Sequence, residues 1–205
     1  ATAGNRRDRR VWRIVRELVY YIAVTLDGYI ADPQGGYDAF VAELDPTSAA
    51  FQNYADALPA HVLAALGIEP PGTRFDTVIM GWNTLTPALE IGIESPYSHL
   101  RQIVASRRAR SVAPDVTLTS DPVATVRELK AQSGLDIYLC GGGELAGALL
   151  PQIDRLVLKR NPLVFGSGIP LFGNTPYVPR RFTLESTQPF DSGVIIEQYV
   201  AQASS

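Results

Sequence analysis

Cysteine and histidine are scarce in this chain of 205 residues. Cys140 is the single cysteine, which excludes a disulfide within the chain and favours a reducing compartment, so we expect the protein in the cytoplasm. The histidines, His61 and His99, stand far apart, and no group of Cys, His and carboxylate residues has the spacing of metal ligands. The sequence therefore predicts no metal site.

Long apolar runs are also missing. No uninterrupted run reaches the roughly 18 residues that a membrane-spanning helix needs, so we expect no membrane contact. Apolar residues nevertheless make up 46% of the chain and charged residues 19%, a balance typical of globular proteins. A length of 205 residues is enough for one domain with a substantial core.

Basic residues are concentrated at the start of the chain. Residues 1–16 carry six arginines against Asp8, a net charge of +5, which leaves −8 on the rest of a chain whose formal charge is −3. An acidic body offers no basic groove for DNA or RNA, so we expect no nucleic-acid partner. We interpret residues 1–16 as a poorly ordered leader, with nucleic-acid or membrane contact as the alternative, and residues 17–205 as a single domain.

Short apolar runs alternate with segments of helical periodicity. Strands are predicted at residues 18–24, 77–80, 100–105, 137–140, 155–159, 164–165, 182–185 and 193–200. Helices are predicted after the cap-and-proline pairs Asp45-Pro46 and Asp121-Pro122, at residues 61–66, and from Leu145. Strands that alternate with helices and then continue alone indicate an α/β fold with a mixed sheet covered by helices.

A glycine triplet is the most informative segment. The predicted strand at residues 137–140 runs directly into Gly141, Gly142 and Gly143, and a helix follows at once. The unpaired N–H groups of a first helical turn, with the positive end of the helix dipole, form an anion site that glycines leave open to a phosphate. The alternative, a tight strand-to-helix turn and nothing more, stays open. The spacing is not Gly-x-Gly-x-x-Gly, which argues against a Rossmann site, and the Glu144 carboxylate is expected to face away from any bound diphosphate.

Four ordered segments resemble the dihydrofolate reductase superfamily over roughly residues 17–200. They are AVTLDGYIA at residues 23–31, VIMGWNT at 78–84, the strand with its glycine triplet, and NPLVFGSGIPLF at 161–172. The last is similar to the branch related to the C-terminal reductase domain of the bacterial bifunctional riboflavin-biosynthesis deaminase/reductase. The zinc deaminase signature of those bifunctional enzymes is absent from this sequence.

The resemblance implies a central, mostly parallel eight-stranded sheet flanked by helices, bound NADPH, and a homodimer. For the nicotinamide pocket it implies Ala23, Ile30 and Ala31, and for the diphosphate it implies Gly141, Gly142 and Gly143 with the adjoining Cys140, Glu144 and Leu145. Further phosphate contacts are implied for the turn after the strand of the second motif, at Gly81, Trp82, Asn83 and Thr84. Ser106 and Arg107 are implied for the 2′-phosphate. Cys140 itself is interpreted as a small core residue and not as a nucleophile.

Trp82 departs from the family pattern, which commonly has arginine directly after this glycine. Arginine grips a phosphate with two parallel hydrogen bonds, and an indole cannot reproduce that contact. Trp82 is expected to pack on the core, with stacking on the adenine as the alternative. Arg107 and Arg108 are candidates to take over the 2′-phosphate, although such arginines are more often solvated surface charges.

The proton donor and the substrate contacts are less well specified. Asp27 is the candidate catalytic acid, and an ordinary turn role beside Gly28 stays open. Gly166, Ser167 and Gly168 are candidates to cradle a substrate phosphate, or else form a plain loop. On the first helix, Asp45 is interpreted as a cap and Asp56 as a solvated residue, so folate reduction is disfavoured.

The leading hypothesis is an NADPH-dependent reductase that transfers a hydride to a carbonyl or imine of a small pyrimidine- or pterin-like substrate. The resemblance implies a substrate of the 5-amino-6-(5-phosphoribosylamino)uracil type. A non-catalytic NADP(H)- or nucleotide-binding protein of the same fold is the first alternative. A structural or partner-binding domain is the second.

Overall fold

The computed structural model describes residues 16–40 and 48–203. The strands in these ranges are β1 (Leu18–Val24), β2 (Tyr29–Ala31), β3 (Phe75–Gly81), β4 (Arg101–Ala105), β5 (Val116–Thr119), β6 (Asp136–Gly141), β7 (Arg155–Arg160), β8 (Ile169–Pro170), β9 (Phe182–Pro189) and β10 (Ile195–Ala201). The α-helices are α1 (Ala49–Tyr54), α2 (Ala60–Ala65), α3 (Trp82–Glu90), α4 (Pro122–Lys130) and α5 (Gly143–Leu149). Two 3-10 helices, Ala55–Ala57 and Leu150–Gln152, extend α1 and α5.

Eight of the strands form one sheet in the order β5-β4-β3-β6-β1-β7-β10-β9. All neighbours are parallel except β10, which is antiparallel to both β7 and β9. The short strands β2 and β8 form a separate antiparallel pair. The predicted α/β fold, a mostly parallel eight-stranded mixed sheet flanked by helices, is therefore confirmed.

The apolar run of β1 supplies both faces of the sheet. Leu18 and Tyr20 are buried among side chains of α4 and α5, and this side is called the α5 face below. Val19 is buried on the other side with Tyr54 of α1 and Leu85 of α3, which is called the α3 face. A fully buried aliphatic side chain contributes about 1.5–3 kcal/mol, so a central strand that is apolar on both sides binds the two helical layers together.

The start of α4 agrees with the sequence. Asp121 caps α4, its carboxylate accepting the Ala124 N–H at 2.9 Å, with Pro122 as the first helical residue. The predicted cap Asp45 and its neighbour Pro46 lie outside the described residues. Helix α1 begins only at Ala49, because Ser48 before it is extended and caps the helix with its hydroxyl, which accepts the Phe51 N–H at 3.1 Å.

One predicted strand is absent. Residues 164–165 do not form a strand, because the Phe165 and Gly166 amides donate to the Asp27 carboxylate and not to a neighbouring strand. The predicted turn after Gly81 is the first turn of α3, a helix that was not predicted. Strands β2 and β5, of three and four residues, were not predicted.

Asp56 is buried, whereas the sequence predicted a solvated carboxylate. Helix α1 changes to a 3-10 helix after Tyr54, and this turns Asp56 inward to 1% exposure. Its two oxygens accept the amides of residues 72–75 at 2.8–3.2 Å. Asp56 therefore holds the segment that leads into β3.

No helix in the described part of the chain is long and apolar enough to cross a membrane.

Candidate cofactor site

The sheet brings most of the predicted cofactor residues to one edge. Strands β4, β3, β6 and β1 are consecutive neighbours and parallel, so their carboxyl ends lie side by side. The predicted residues follow from those ends: Ser106 from β4, Trp82 from β3, the glycine triplet from β6 and Asp27 from β1. In open parallel sheets this edge is where ligands bind.

The turns after β3 and β6 touch each other. A methyl group added at Gly81 would lie 3.6 Å from the Gly142 nitrogen and 3.7 Å from the Gly141 oxygen. One added at Gly142 would lie 3.5 Å from Oγ1 of Thr84, in the first turn of α3. Gly81, Thr84 and the glycine triplet therefore form one continuous surface, here called the glycine turn.

The three glycines of the triplet are required for different reasons. Gly141 has a φ of +124°, which residues with a side chain rarely adopt, and its peptide bond to Gly142 is cis. Gly143 is the first residue of α5, and a side chain there would run into the Pro170 carbonyl oxygen and lie 2.9 Å from the Gly173 nitrogen. Backbone conformation and close packing thus account for two of the glycines.

Neither the φ and ψ angles nor close packing requires a glycine at position 142. Its φ of −84° and ψ of −165° are open to any residue, and an added Cβ would meet nothing closer than Oγ1 of Thr84 at 3.5 Å. Gly142 is also partly exposed, while Gly141 and Gly143 are buried. The fold leaves room at Gly142 for an approaching ligand.

The middle of β1 is partly accessible. Strands with parallel neighbours on both sides are normally buried on both faces, and Leu18 to Tyr20 are. Ile22 and Ala23 are nevertheless partly exposed, and as successive residues of a strand they point to opposite faces. Ile22 lies beside the glycine turn, 4.0 Å from a Cβ placed on Gly141. Strand β1 is thus partly exposed at Ala23, where the resemblance implies the nicotinamide, whereas Val24 at its end is buried.

Residues flanking the triplet are hydrogen-bonded elsewhere in the fold or point into the core. The Glu144 carboxylate accepts the amide and side-chain N–H groups of Asn174 at 3.1 and 3.2 Å, in line with the expectation that it faces away. Leu145 is buried on the α5 face. Cys140 is buried on the α3 face, 3.4 Å from the Tyr97 hydroxyl, and burial raises the pKa of its thiol, so it is a core residue and not a nucleophile.

Trp82 is partly packed on the core, as expected, but its ring also carries a partner that the sequence did not predict. The guanidinium of Arg110 lies over the indole, 4.6 Å from the ring centroid. A cation held over an exposed aromatic face contributes about 0.5–1 kcal/mol. Asn83, the next residue of α3, is exposed.

Ser106 begins the loop that carries Arg107 and Arg110. Its hydroxyl accepts the Arg108 amide at 3.2 Å and donates to the Arg108 carbonyl at 2.8 Å, which folds the loop back on itself. Arg107 and Arg108 are exposed at the edge of the sheet. The loop therefore presents its arginines next to the start of α3.

Asp27 is an anchor for the loop that follows β7. It accepts the Thr25 hydroxyl at 2.6 Å, the Gly166 amide at 2.7 Å and the Phe165 amide at 3.2 Å. The Thr25 hydrogen bond, followed by those from the Gly166 and Phe165 amides, holds the pKa of Asp27 below its usual value. A carboxyl group with a lowered pKa is ionised at neutral pH, so this geometry favours the turn interpretation over a proton donor.

The pH dependence of stability distinguishes these two roles. A carboxylate with a lowered pKa stabilises the fold above the pKa of the unfolded chain, and this contribution is lost as the pH falls through the folded pKa. The Tm difference between wild type and Asp27→Asn is therefore expected to stay constant from pH 8 to pH 5 and to shrink below about pH 4. Glu69→Gln, an exposed acid, is the control. A difference that already shrinks between pH 8 and pH 6 would mean that Asp27 retains a proton near neutrality.

In the predicted substrate cradle, the Gly166 amide is already hydrogen-bonded within the fold. The Gly166 N–H is bonded to the Asp27 carboxylate, and a second anion at that position would be repelled. Ser167 is exposed, and Gly168 lies so close to the Ala31 carbonyl oxygen that no side chain fits there. These contacts favour the loop interpretation for Gly166 and Gly168. They also fix Ala31, which is buried together with its neighbour Ile30.

No cluster of three His, Cys, Asp or Glu side chains that could hold a metal ion occurs within residues 16–40 and 48–203.

Known proteins match this chain over most of its length. A family model described as the RibD C-terminal domain matches residues 16–196. The chain belongs to the RibD C-terminal domain family. YwjB of Bacillus subtilis strain 168, an uncharacterized protein, is 31% identical over 186 residues, which cover 87% of this chain and 95% of YwjB.

Solved structures agree with this family. A protein of Shewanella sp. PV-4, provisionally assigned to riboflavin biosynthesis, is 26% identical with a TM-score of 0.69, and the match covers 91% of this chain and 99% of that one. Dihydrofolate reductase of Enterococcus faecalis, solved in complex with NADP(H), has a TM-score of 0.62 at 15% identity, with 91% and 97% covered. The second likeness shows the fold alone. The RibD C-terminal domain family and the fold implied by the resemblance are confirmed.

Sequence reasoning missed two residues at this edge, Thr25 and Arg110. Thr25 is fully buried, and its hydroxyl both bonds Asp27 and accepts the Tyr29 amide at 2.9 Å, a role that the Thr-x-Asp-Gly spacing could have suggested. Arg110 had no local signal that distinguished it from its neighbours. Only the contact between the loop after β4 and the start of α3 identifies it.

Proposed function

We propose that this chain is an NADPH-dependent reductase of the RibD C-terminal type that acts on a carbonyl or imine of a pyrimidine- or pterin-like compound. The observation that carries the proposal is Gly142, whose missing side chain is explained by neither backbone conformation nor packing. Bare amides at the carboxyl edge of a parallel sheet suit the diphosphate of a dinucleotide. Membership in the family and the NADP(H) complex of the E. faecalis enzyme support the choice of cofactor.

The proposed cofactor follows the carboxyl edge of the sheet. The glycine turn, with Thr84 beside it, would hold the diphosphate. Ala23, Ile30 and Ala31 would line the nicotinamide side. The loop after β4, which Ser106 begins, would hold the adenosine side. These residues follow four adjacent strands of the sheet.

The chemistry that NADPH supplies is a hydride for an electrophilic carbon. The protein would contribute position and shielding, and β1, which is buried on both faces up to Tyr20, would supply a fixed support. Thr25 and Asp27 hold the turn after β1 to the 165–166 loop, which fixes one wall of the substrate side. A lowered pKa leaves Asp27 as an anchor in this scheme, and the proton for the product comes from another group or from water.

A homodimer in the cytoplasm and a substrate of the ribosylaminouracil phosphate type belong to the same proposal. The dimer and the substrate follow from the resemblance to the RibD C-terminal domain family, and the cytoplasm follows from the single cysteine. The exposed Ser167 hydroxyl and amide remain the candidate contact for a substrate phosphate. Light scattering of the purified chain tests the dimer directly.

A non-catalytic NADP(H)-binding protein of the same fold is the second candidate. One observation favours it: the acid nearest the carboxyl end of β1 has a lowered pKa and serves as a loop anchor. Binding without turnover would be the consequence, with the glycine turn keeping its role.

Titration with NADPH, followed by nicotinamide fluorescence, tests the shared part of both candidates. Oxidation of NADPH by a panel of pyrimidine and pterin compounds with a carbonyl or imine then separates them. The reductase proposal expects saturable binding and turnover of at least one member of the panel. Binding without any turnover would select the non-catalytic candidate, and the absence of binding would overturn both.

A further inference from the structure

The loop between β4 and β5 concentrates unpaired positive charge at the carboxyl edge of the sheet. Among the described residues, Arg16, Arg74, Arg155 and Arg160 each have a carboxylate partner within the fold. None of the three arginines in the loop, at positions 107, 108 and 110, has one among those residues. The fold thus leaves these charges available in a chain whose overall formal charge is negative.

Arg110 differs from the other two because it is held in place. Its guanidinium lies 4.6 Å from the centroid of the Trp82 ring, and Trp82 is the first residue of α3. Trp82 is in turn packed against the core of the α3 face. A guanidinium seated on an aromatic face keeps its N–H groups at the edges, where they can donate two parallel bonds to a phosphate.

The position of this pair matches the far end of a dinucleotide bound at the glycine turn. Gly81, which precedes Trp82 directly, borders the Gly142 backbone in the glycine turn. From β1 to β4 the sheet spans three inter-strand spacings, about 14 Å, so the loop after β4 lies well beyond the nicotinamide and the diphosphate. A charge at that distance from β1 meets the adenosine half.

The geometry points to Arg110 as the residue that selects NADPH over NADH, with Trp82 as its positioning residue. This inference rests on the proposed function and names the specificity determinant of that same site. Position 82, where the family commonly has arginine, is a tryptophan in this chain. The guanidinium of Arg110, from the loop after β4, lies on that indole and supplies the missing positive charge. Arg110 recognises the adenosine 2′-phosphate, which is the one group that NADPH has and NADH lacks.

Dissociation constants for NADPH and NADH, followed by nicotinamide fluorescence, test this selection. Arg110→Ala is expected to weaken NADPH about 10- to 100-fold, the range for hydrogen bonds to a charged group, and to leave NADH within about 3-fold. Arg127→Ala removes an exposed arginine of α4, on the other face of the sheet, and is expected to change neither constant. Adenosine 2′,5′-bisphosphate should compete with NADPH better than adenosine 5′-monophosphate on wild type only.

Variants of Trp82 test how Arg110 is held. Trp82→Phe keeps an aromatic face and is expected to retain most of the preference for NADPH. Trp82→Leu keeps an apolar side chain without that face and is expected to lose a large part of it. Equal retention in both variants would show that the indole does not position Arg110.

The remaining outcomes separate the inference from the function on which it rests. Equal weakening of both nucleotides by Arg110→Ala, or no weakening, would overturn the role of Arg110 while the reductase site stands. Loss of the preference in Arg107→Ala alone would transfer the role to Arg107 and also overturn it. A wild type that binds neither nucleotide would overturn the inference together with the proposed function.

Discussion

Replacing Gly142 with aspartate is expected to weaken NADPH binding about 100-fold or more, equivalent to about 3 kcal/mol, while the fold stays intact. The fold tolerates the change because the backbone angles of Gly142 suit any residue and an added Cβ makes only an ordinary contact with Thr84. The cofactor does not tolerate it. A carboxylate would occupy the space in front of the amides and would repel a diphosphate there.

The measurement is an NADPH titration of both proteins, with circular dichroism and Tm as tests of folding. Gly142→Asn has nearly the same size without the charge, so the difference between the two variants separates repulsion from steric exclusion. Undiminished affinity in Gly142→Asp would show that the phosphates lie elsewhere.

Gly143→Ala, one residue further along, is expected to destabilise the fold itself. Its methyl group would run into the Pro170 carbonyl oxygen and the backbone of Gly173, neither of which is a flexible side-chain end. Overpacking of this kind costs about 1–3 kcal/mol or more, and at the upper value the Tm of a chain this size falls by about 6–12 °C.

Thermal unfolding of Gly143→Ala and Gly142→Ala side by side tests this expectation. The second variant adds the same methyl group one residue earlier, where there is room, and its Tm is expected to stay near that of wild type. Equal Tm values for the two variants would mean that α5 moves freely against the 170–173 segment, contrary to the close contact described.

Together these variants resolve the alternative that the sequence left open. A glycine triplet that only turns the chain would make every substitution a matter of stability. In a triplet that also binds a ligand the glycines have different roles, because Gly143 is needed for packing and Gly142 for access of the ligand. The sequence alone could not distinguish these roles, because the residues that crowd Gly143 lie in a segment about 30 residues away.

The fold was predictable where sequence signals are local. The continuous apolar run of β1 predicted a strand buried on both sides, and the glycines that end β3 and β6 marked the carboxyl edge. Asp121-Pro122 predicted the start of α4 for the same reason, since a cap and a fixed φ act within one turn. These signals predicted the elements and the glycine turn, whereas the mostly parallel eight-stranded sheet was implied by the family resemblance.

Contacts between distant segments explain what could not be predicted. Residues 164–165 have a strand-like composition, but Asp27 takes the Phe165 and Gly166 amides and leaves none for a ladder. Asp56 has a polar side chain at a helix position that seemed exposed, yet it satisfies the backbone of residues 72–75. Both carboxylates hold loops through backbone amides that no periodicity reveals.

In the candidate site, too, local features were predictable and contacts between distant residues were not. The glycine turn was recognisable from a strand that ends in glycines. Trp82 was recognisable as a departure from the family, but its partner was not, because Arg110 lies 28 positions further along the chain. The family resemblance suggested the cofactor that we propose, and the contacts of this chain supplied the residues that distinguish it.

The most direct test of the account is a titration of the isotopically labelled glycine amides with NADPH, read as backbone chemical shifts. Hydrogen bonds from bare amides to phosphate predict large downfield shifts for Gly142 and Gly143, and none for remote glycines such as Gly67 and Gly193. Unchanged resonances in the triplet at saturating NADPH, with shifts only elsewhere or nowhere, would contradict the proposed cofactor site.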